Sequence, residues 1–315
     1  MSDFFRGGYS GTEPEALLTT QRPWAVEFQN RTFGMIIQHC TPSLPAKKPM
    51  LTAFCAALVT LLALSVTAHA ADCPRPGTLG TSRVLAVDPA QYPRVGTKSF
   101  PQTLPLNDKE IVLTFDDGPA ATTAAVLKAL RDECVHATFF MVGKGAQEMP
   151  AMVKRVAAAG HTLGHHTWSH RYLARIGFAA AREEIDRGIA ADNAALAGVP
   201  SRTPTAPFFR FPYFESTPEL LDYLQSKHYA VFGADFWASD WEPMTPEVQL
   251  QLLIGRLEAI RKGILLLHDP RAQTAAMLPA FLRYLREHGY RVVHIVPAGS
   301  AADPAKGGPI KQGSH

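Results

Sequence analysis

Two groups of polar residues in the chain have the types and spacing needed to bind a metal ion and hydrolyse a bond. Asp116 and Asp117 stand between an apolar stretch and a Gly-Pro turn in VLTFDDGP, and His166 and His170 follow about fifty residues later in HTWSH. Neighbouring side chains of a strand point to opposite faces, so two adjacent carboxylates share a site only where the strand ends. The Gly-Pro pair supplies that end, although a solvated turn would also explain it.

The two histidines suit a divalent cation of the zinc type. They are four positions apart, which predicts that both imidazoles lie on one side of a helical turn. Surface and core histidines often show this spacing, but here a carboxylate is available as a third ligand. Two histidines and one carboxylate leave a tetrahedral metal an open position for water, as in catalytic zinc sites. Structural zinc sites usually need more cysteines than Cys73 and Cys134, the two that follow residue 70.

Further candidates lie where strands should end. His268 ends the apolar run GILLL, so its ring should reach the rim of a sheet, where it can protonate a leaving group near neutral pH. Asp240, in WASDW, is the candidate that would hold the tautomer of this histidine. Arg210 follows two phenylalanines and could pair with a carboxylate. His165, directly before His166, could support its neighbour.

A parallel α/β fold would bring these residues together, because reactive residues gather where its strands end and its loops begin. From Glu110 onward, short β-rich runs alternate with longer segments of helical period. The predicted strands are 111–115, 137–142, 162–164, 208–211, 229–233, 264–267 and 292–296. The predicted helices are 122–132, 150–159, 179–196, 218–226, 246–261 and 275–288, and Thr245 is the expected cap of the fifth helix.

Residues 47–70 predict a signal peptide. Two lysines precede an apolar run over residues 51–66, which ends in a small-x-small site with cleavage before Ala71. The run is shorter than the roughly 20 residues of a membrane-spanning helix, which favours export to the periplasm or extracellular space over anchoring. We expect no stable membrane span after cleavage. Because a signal peptide normally starts near its basic segment, the translation start could be Met50 or Met35.

The pattern divides the rest of the chain into a doubtful extension (1–46), an extended arm (71–106), one catalytic-type domain (107–297) and a flexible tail (298–315). Of the 315 residues, 46% are hydrophobic, enough for one large core. A net charge of +3 is too small for a nucleic-acid face, so no such partner is expected, and we expect a monomer. The two cysteines after residue 70 form either one disulfide or two free thiols.

Five short motifs carry a resemblance to a known family. TFDDGP, HTWSH, RFPY, WASDW and LLLHD occur between Thr114 and Asp269 in the order and approximate spacing of the motifs of NodB-homology polysaccharide deacetylases, carbohydrate esterase family 4. The resemblance covers residues 107–297. It implies a distorted (β/α) barrel with about seven parallel strands. Departures include His165, where the family usually has Asn or Thr, and Trp237, where it has an Asp.

The resemblance implies a role for each matching residue of the first three motifs. Asp117, His166 and His170 correspond to the metal ligands. Asp116 corresponds to the general base, and Arg210 to the residue that steadies this base.

The remaining matches imply the groups that handle the substrate. His268 resembles the general acid, with Asp240 behind it. Tyr213 matches the position whose backbone N–H helps to hold the oxyanion. Trp241 and Leu266 match groove walls that grip the acetyl methyl group.

The implied activity is hydrolysis of N-acetyl groups on N-acetylglucosamine-type residues of a glycan, with release of acetate. Chitooligosaccharides, peptidoglycan and exopolysaccharides all present such groups. The implied cofactor is a divalent metal, zinc first, although cobalt and similar ions accept this ligand set. The alternatives are a glycan-binding pseudoenzyme, and a C–N hydrolase that acts on a small amide.

Overall fold

The computed structural model describes residues 73, 75–197, 205–300 and 302–304. These residues belong to a compact unit that begins at Ala68. The predicted extension and signal peptide lie outside the described residues, as does most of the predicted tail. In the part of the chain that is described, no helix is long and apolar enough to cross a membrane.

The described strands form one sheet of ten, and their pairings are parallel. They are β1 (Thr81–Val87), β2 (Arg94–Val95), β3 (Glu110–Asp116), β4 (Thr138–Met141), β5 (Thr162–His165), β6 (Phe208–Phe209), β7 (Ala230–Phe232), β8 (Phe236–Trp237), β9 (Gly263–His268) and β10 (Arg291–Pro297). The order runs β1-β10-β3-β4-β5-β6-β7-β2, while β9 pairs with β3 and β8 with β9. Because β7 pairs with β2 rather than with β8, the ring of strands is a distorted barrel.

All seven predicted strands are present, and the predicted α/β class is confirmed. Three strands escaped prediction: the seven-residue β1 and the two-residue β2 in the arm, and the two-residue β8. Strand β3 is buried along its whole length, as expected of a central parallel strand. Its Phe115 stacks on Phe139 of β4 with ring centres 5.0 Å apart in the main core. This packing fixes the position of the end of β3 relative to β4, and therefore the position of the two aspartates.

The helices lie between the strands as the sequence predicts. They are α1 (Thr123–Asp132), α2 (Gly143–Glu148), α3 (Pro150–Ala158), α4 (Phe178–Leu196), α5 (Pro218–Ser226), α6 (Pro246–Ile260) and α7 (Ala272–Glu287). The predicted cap of α6 is confirmed, because the Thr245 side chain accepts a hydrogen bond from the Val248 N–H. Helix α2 was missed because its six residues include two glycines and lack an apolar period.

The amino-terminal arm is tied to the sheet along its length. Strand β1 pairs with β10, and β2 pairs with β7. A disulfide joins Cys73 to Cys134 just beyond α1, which decides between the two alternatives for these cysteines. Asp235 accepts hydrogen bonds from Thr97 Oγ1 at 2.8 Å and Thr103 Oγ1 at 2.7 Å. The arm is therefore part of the barrel wall near β8.

Helix α4 packs unusually close to the loop after β5. A Cβ atom added at Gly188 would lie 2.5 Å from the Thr167 carbonyl carbon and 2.8 Å from the Trp168 nitrogen. These backbone atoms cannot move without displacing the histidines on either side of them. A glycine is thus required in the middle of α4, where the helix alone would favour alanine.

We expect Gly188→Ala to lower the free energy of unfolding by about 1 to 3 kcal/mol, because the new methyl group overpacks the loop. Gly255→Ala in α6 is the matched control, since no atom lies within 4 Å of its added Cβ. The control should gain about 0.5 to 1 kcal/mol from helix propensity. Urea denaturation of both variants measures the difference. Equal stabilities would contradict the close packing of α4 on the loop.

Candidate active site

The predicted residues meet at a cavity of about 610 Å³ at the carboxyl ends of the strands. Eight of the ten predicted site residues line it, namely Asp116, Asp117, His166, His170, Tyr213, Trp241, Leu266 and His268. The other two, Arg210 and Asp240, are buried directly behind this lining. The structure therefore brings the whole predicted set together at one end of the barrel.

Asp116, the last residue of β3, is held by a buried ion pair. Arg210 Nη1 donates to Asp116 Oδ1 at 2.7 Å, and Arg210 is fully buried. Arg210 Nη2 also donates to the Gly233 carbonyl at 2.8 Å. Burial lowers the pKa of Arg210, and the Asp116 carboxylate opposes that shift. Because only Oδ1 is bound to the guanidinium, Oδ2 remains on the side of His166, 3.8 Å from its Nε2.

Asp117, His166 and His170 form a compact set of donor atoms. One ligand atom from each lies within 4.8 Å of the others. Asp117 Oδ1 is 3.1 Å from His170 Nε2 and 3.4 Å from His166 Nε2. Burial works to raise the pKa of Asp117, but the two histidines outweigh it and hold this pKa well below its usual range. The carboxylate is therefore ionised at neutral pH.

The hydrogen bonds behind the histidines show that this set suits a cation. His166 Nδ1 lies 2.7 Å from the Arg210 carbonyl oxygen, which can only accept, so Nδ1 carries the proton and Nε2 presents a lone pair. His170 Nδ1 contacts the Tyr213 hydroxyl at 3.1 Å. Asp117 Oδ1 is buried without a hydrogen-bond donor. A divalent metal would satisfy these facing acceptors, and the contacts at Nδ1 would orient the rings for it.

The loop that carries the histidines is irregular, so the predicted helical turn is wrong. Thr167 and His170 adopt left-handed backbone angles, with φ of 67° and 59°. Tertiary contacts replace the helical hydrogen bonds. The Ser169 N–H donates to Glu184 Oε2 of α4 at 2.9 Å, and the Gly143 N–H of α2 donates to the Thr167 carbonyl at 2.9 Å. Both histidines reach Asp117 because this loop is fixed from two helices.

His268 ends β9 beside the end of β3, and its register partner across the ladder is Asp116. Its Nδ1 is 2.7 Å from Asp240 Oδ1, and its backbone N–H donates to Asp240 Oδ2. Thr274 Oγ1 donates to the same Oδ2 at 2.7 Å. Burial works to lower the pKa of His268, but the hydrogen bond and charge of Asp240 raise it to about 9. The ring is therefore protonated at neutral pH, with Nε2 left to exchange a proton.

Aromatic residues form much of the remaining lining. Tyr213 has a left-handed backbone with φ of 59°, and its ring stacks on Tyr172 with centres 3.6 Å apart. Trp241 is 43% exposed and stands edge-on to His268. Leu266 is buried and pairs with Trp237 of β8.

Several lining residues were not predicted from the sequence. Tyr172 follows His170 by two positions, a signal that could have indicated it. The contact of the Tyr213 hydroxyl with His170 is also new, since only the backbone of Tyr213 was predicted to act. His165 lies outside the cavity lining: its Nδ1 is 2.7 Å from Asp192 Oδ2 of α4, and both side chains are 1% exposed. It thus attaches β5 to α4.

The fold and these side chains define a parallel α/β barrel with a metal-binding type of site. Residues 103–232 match the sequence model of the family described as polysaccharide deacetylase. A peptidoglycan-N-acetylglucosamine deacetylase of Bacillus cereus is 32% identical over 152 residues, which cover 48% of this chain and 53% of the relative. A chitin deacetylase of a Pestalotiopsis species is 31% identical, covering 58% of this chain and 60% of the relative.

A solved structure of a peptidoglycan deacetylase from Bdellovibrio bacteriovorus is similar with a TM-score of 0.61 and 29% identity. The similarity covers 73% of this chain and 65% of that one. The resemblance to polysaccharide deacetylases that the five motifs indicate is therefore confirmed for residues 103–232. It spans about half the length of the Bacillus relative.

The contact between His268 and Asp240 should be visible in the pKa of His268 in the metal-free protein. We expect the imidazole of His268 to titrate with a pKa of about 9. In Asp240→Asn the pKa should fall toward the ordinary value near 6.5, because the charge that stabilises the imidazolium is gone while burial still disfavours it. NMR titration of the ring protons measures both values. Asp192→Asn, beside His165, is the control and should leave His268 unchanged.

Proposed function

We propose that the protein is a metal-dependent deacetylase that hydrolyses N-acetyl groups on N-acetylglucosamine-type residues of a glycan and releases acetate. One observation carries the proposal. A carboxylate paired with an arginine, a histidine hydrogen-bonded to an aspartate, and a compact donor set of one aspartate and two histidines all meet at one cavity. The named activities of the Bacillus and Pestalotiopsis relatives agree with it.

Asp117, His166 and His170 would hold the metal, with zinc as the first candidate. A bound divalent ion supplies Lewis-acid polarisation of the acetyl carbonyl and lowers the pKa of water at the site. The three donors leave room for other ligands, because each contributes one atom. The set contains no cysteine, as is usual for catalytic rather than structural zinc.

Asp116 acts as the general base. Its Oδ2 accepts the proton of the attacking water while Arg210 keeps Oδ1 occupied and the carboxylate in one orientation. Asp116 is 2% exposed, so little solvent competes for its free oxygen.

His268 acts as the general acid. Its protonated ring, held by Asp240 through Nδ1, donates the Nε2 proton to the departing amine nitrogen. The backbone N–H of Tyr213 donates to the developing oxyanion, an interaction whose loss typically costs on the order of 3 kcal/mol. Trp241 and Leu266 enclose the acetyl methyl group.

We also propose that the protein is exported to the periplasm or the extracellular space. The disulfide between Cys73 and Cys134 supports this location, because such bonds persist in oxidising compartments. Acetylated glycans of cell walls are met there. The leader predicted over residues 47–70 would direct this export.

The alternative functions have less support. A glycan-binding pseudoenzyme would not need the base, the acid and the donor set together, and all of them are in place. Cleavage of a glycosidic bond needs two carboxylates about 5 to 10 Å apart on either side of that bond. Asp116 and Asp117 are adjacent and engage different partners. A small amide would leave most of the aromatic lining without a partner.

We expect Asp116→Asn to lower acetate release from chitotetraose or peptidoglycan fragments by about 10² to 10⁴-fold, because the base is lost. Bound zinc should remain at the wild-type level, since Asp116 is not in the donor set. Asp117→Asn is the contrast and should lose both zinc and activity. Acetate assays with metal analysis of the purified variants measure this. Full activity of Asp116→Asn would show that the base is assigned wrongly.

Metal binding should also be visible in stability. The reference is wild-type protein from which metal has been removed with a chelator. Zinc at 100 times its dissociation constant should raise the free energy of unfolding of this protein by about 2.7 kcal/mol. His170→Ala should show little of this gain, whereas His228→Ala, on the loop after α5, should retain it. Thermal unfolding with and without zinc compares the three proteins. If His170→Ala gained as much stability from zinc as the wild type, the metal would bind elsewhere.

A further inference from the structure

Two basic side chains line the cavity and are not used by the proposed chemistry. Lys98 and Arg271 are both exposed at the lining. Within the described residues, neither has a carboxylate partner in an ion pair. The acidic lining residues are Asp116 and Asp117, which already engage Arg210 and the two histidines. The cavity therefore presents two positive charges that nothing in the described protein neutralises.

Backbone hydrogen bonds fix the position of Lys98 in the cavity lining. The Lys98 N–H donates to the Ala234 carbonyl at 2.8 Å, and the preceding Thr97 N–H donates to Asp235 Oδ1 at 2.8 Å. Gly96, with φ of 106°, lies so close to the backbone of Gly233 and Ala234 that an added Cβ would lie 2.6 Å from the Ala234 nitrogen. This close approach fixes where the arm passes the cavity. The position of Lys98 is thus set by tertiary structure.

The side chain of Lys98 lies against the wall formed by β8 and β9. Its Nζ is 4.7 Å from the centre of the Trp237 ring, a cation–π contact that leaves the ammonium hydrogen-bond donors available. Arg271 lies in the turn after β9, and its backbone N–H donates to the His268 carbonyl at 3.2 Å. Since β8 and β9 are paired neighbours, the two cations belong to the same wall. We call Lys98 and Arg271 the cationic wall.

We propose that the cationic wall selects N-acetylated glycans that carry carboxylate groups close to the acetylated sugar. The inference rests on the proposed deacetylase function and names its substrate class. A neutral chitin oligomer offers these cations only uncharged acceptors, such as hydroxyl and acetamido oxygens, whereas a carboxylate gives each a charge-assisted hydrogen bond. Lys98 lies in the arm, outside residues 107–297, whereas Arg271 comes two residues after the LLLHD motif. The proposed selectivity therefore combines one residue of the arm with one residue of the loop after β9.

The first test compares the wild-type protein on three N-acetylated tetrasaccharides of equal length. Chitotetraose is neutral, an alternating N-acetylglucosamine–N-acetylmuramic acid tetramer carries lactyl carboxylates, and a hyaluronan tetramer carries uronic acid carboxylates. We expect kcat/KM at low salt to be about tenfold higher or more for at least one carboxylated tetramer, as two exposed charge pairs allow. The advantage should shrink in 0.5 M sodium chloride. The preferred tetramer identifies the source of the carboxylate.

The second test replaces each cation of the wall by methionine, which is unbranched and uncharged. Lys98→Met and Arg271→Met should each lower kcat/KM for the preferred carboxylated tetramer by about three- to fivefold. The change should lie in KM, with kcat preserved and chitotetraose turnover within about twofold of wild type. Lys109→Met and Arg182→Met are matched controls, because both cations lie over aromatic rings outside the cavity lining. Retained chitotetraose turnover shows that a variant is folded.

The outcomes separate this inference from the function on which it rests. Absence of acetate release from every tetramer by the zinc-loaded protein contradicts the deacetylase function. Equal kcat/KM for neutral and carboxylated tetramers contradicts the cationic wall and leaves the deacetylase function standing. The same holds if Lys98→Met and Arg271→Met behave like their controls. A salt-sensitive preference lost in these two variants supports the cationic wall.

Discussion

The buried guanidinium of Arg210 is the interaction on which the rest of the site depends. Its side chain joins Asp116 at the end of β3 to the carbonyl of Gly233 beyond β7, while its own carbonyl accepts the Nδ1 proton of His166. One residue therefore fixes the orientation of the proposed base and the tautomer of a proposed metal ligand. Removing one partner of such a buried pair typically costs about 3 to 5 kcal/mol, because the other charge is left without compensation. Neither group can move independently of the other.

The same principle of paired charges extends over the whole floor of the cavity. Asp240 is hydrogen-bonded to His268 on one side, and Asp117 faces the two histidines on the other. These pairings raise the pKa of His268 and lower that of Asp117, so the imidazole is protonated and the carboxylate ionised at one pH. Two oppositely charged groups coexist within one small space because separate partners move their pKa values in opposite directions. The pKa of His268 and the orientation of Asp116 thus depend on Asp240 and Arg210, which are buried behind the cavity lining.

The sequence predicts which residues converge at the cavity because strand ends are local features. An apolar run that stops at Asp116 or His268 places both side chains on the same rim, and the parallel register of β3 and β9 then brings them side by side. The conformation of the HTWSH loop is not local. It follows from contacts with Glu184 and from the close approach at Gly188, both distant in the chain. A helical spacing was therefore the wrong basis for joining two histidines that do converge.

Lys98 could not be assigned to the site from sequence for a related reason. Its arm shows no regular period, and its place beside Trp237 follows from β2 pairing with β7 and from the bonds that Asp235 makes to two threonines. Those bonds also complete the barrel wall where β7 and β8 do not pair. The groups proposed to act on the acetyl amide come from strand ends of the barrel, whereas one of the two wall cations comes from a segment attached to it. If the cationic wall selects the substrate as proposed, this selection is coupled to the stability of the arm through Asp235, because loosening the arm would displace a charge from the cavity without touching the proposed reacting groups.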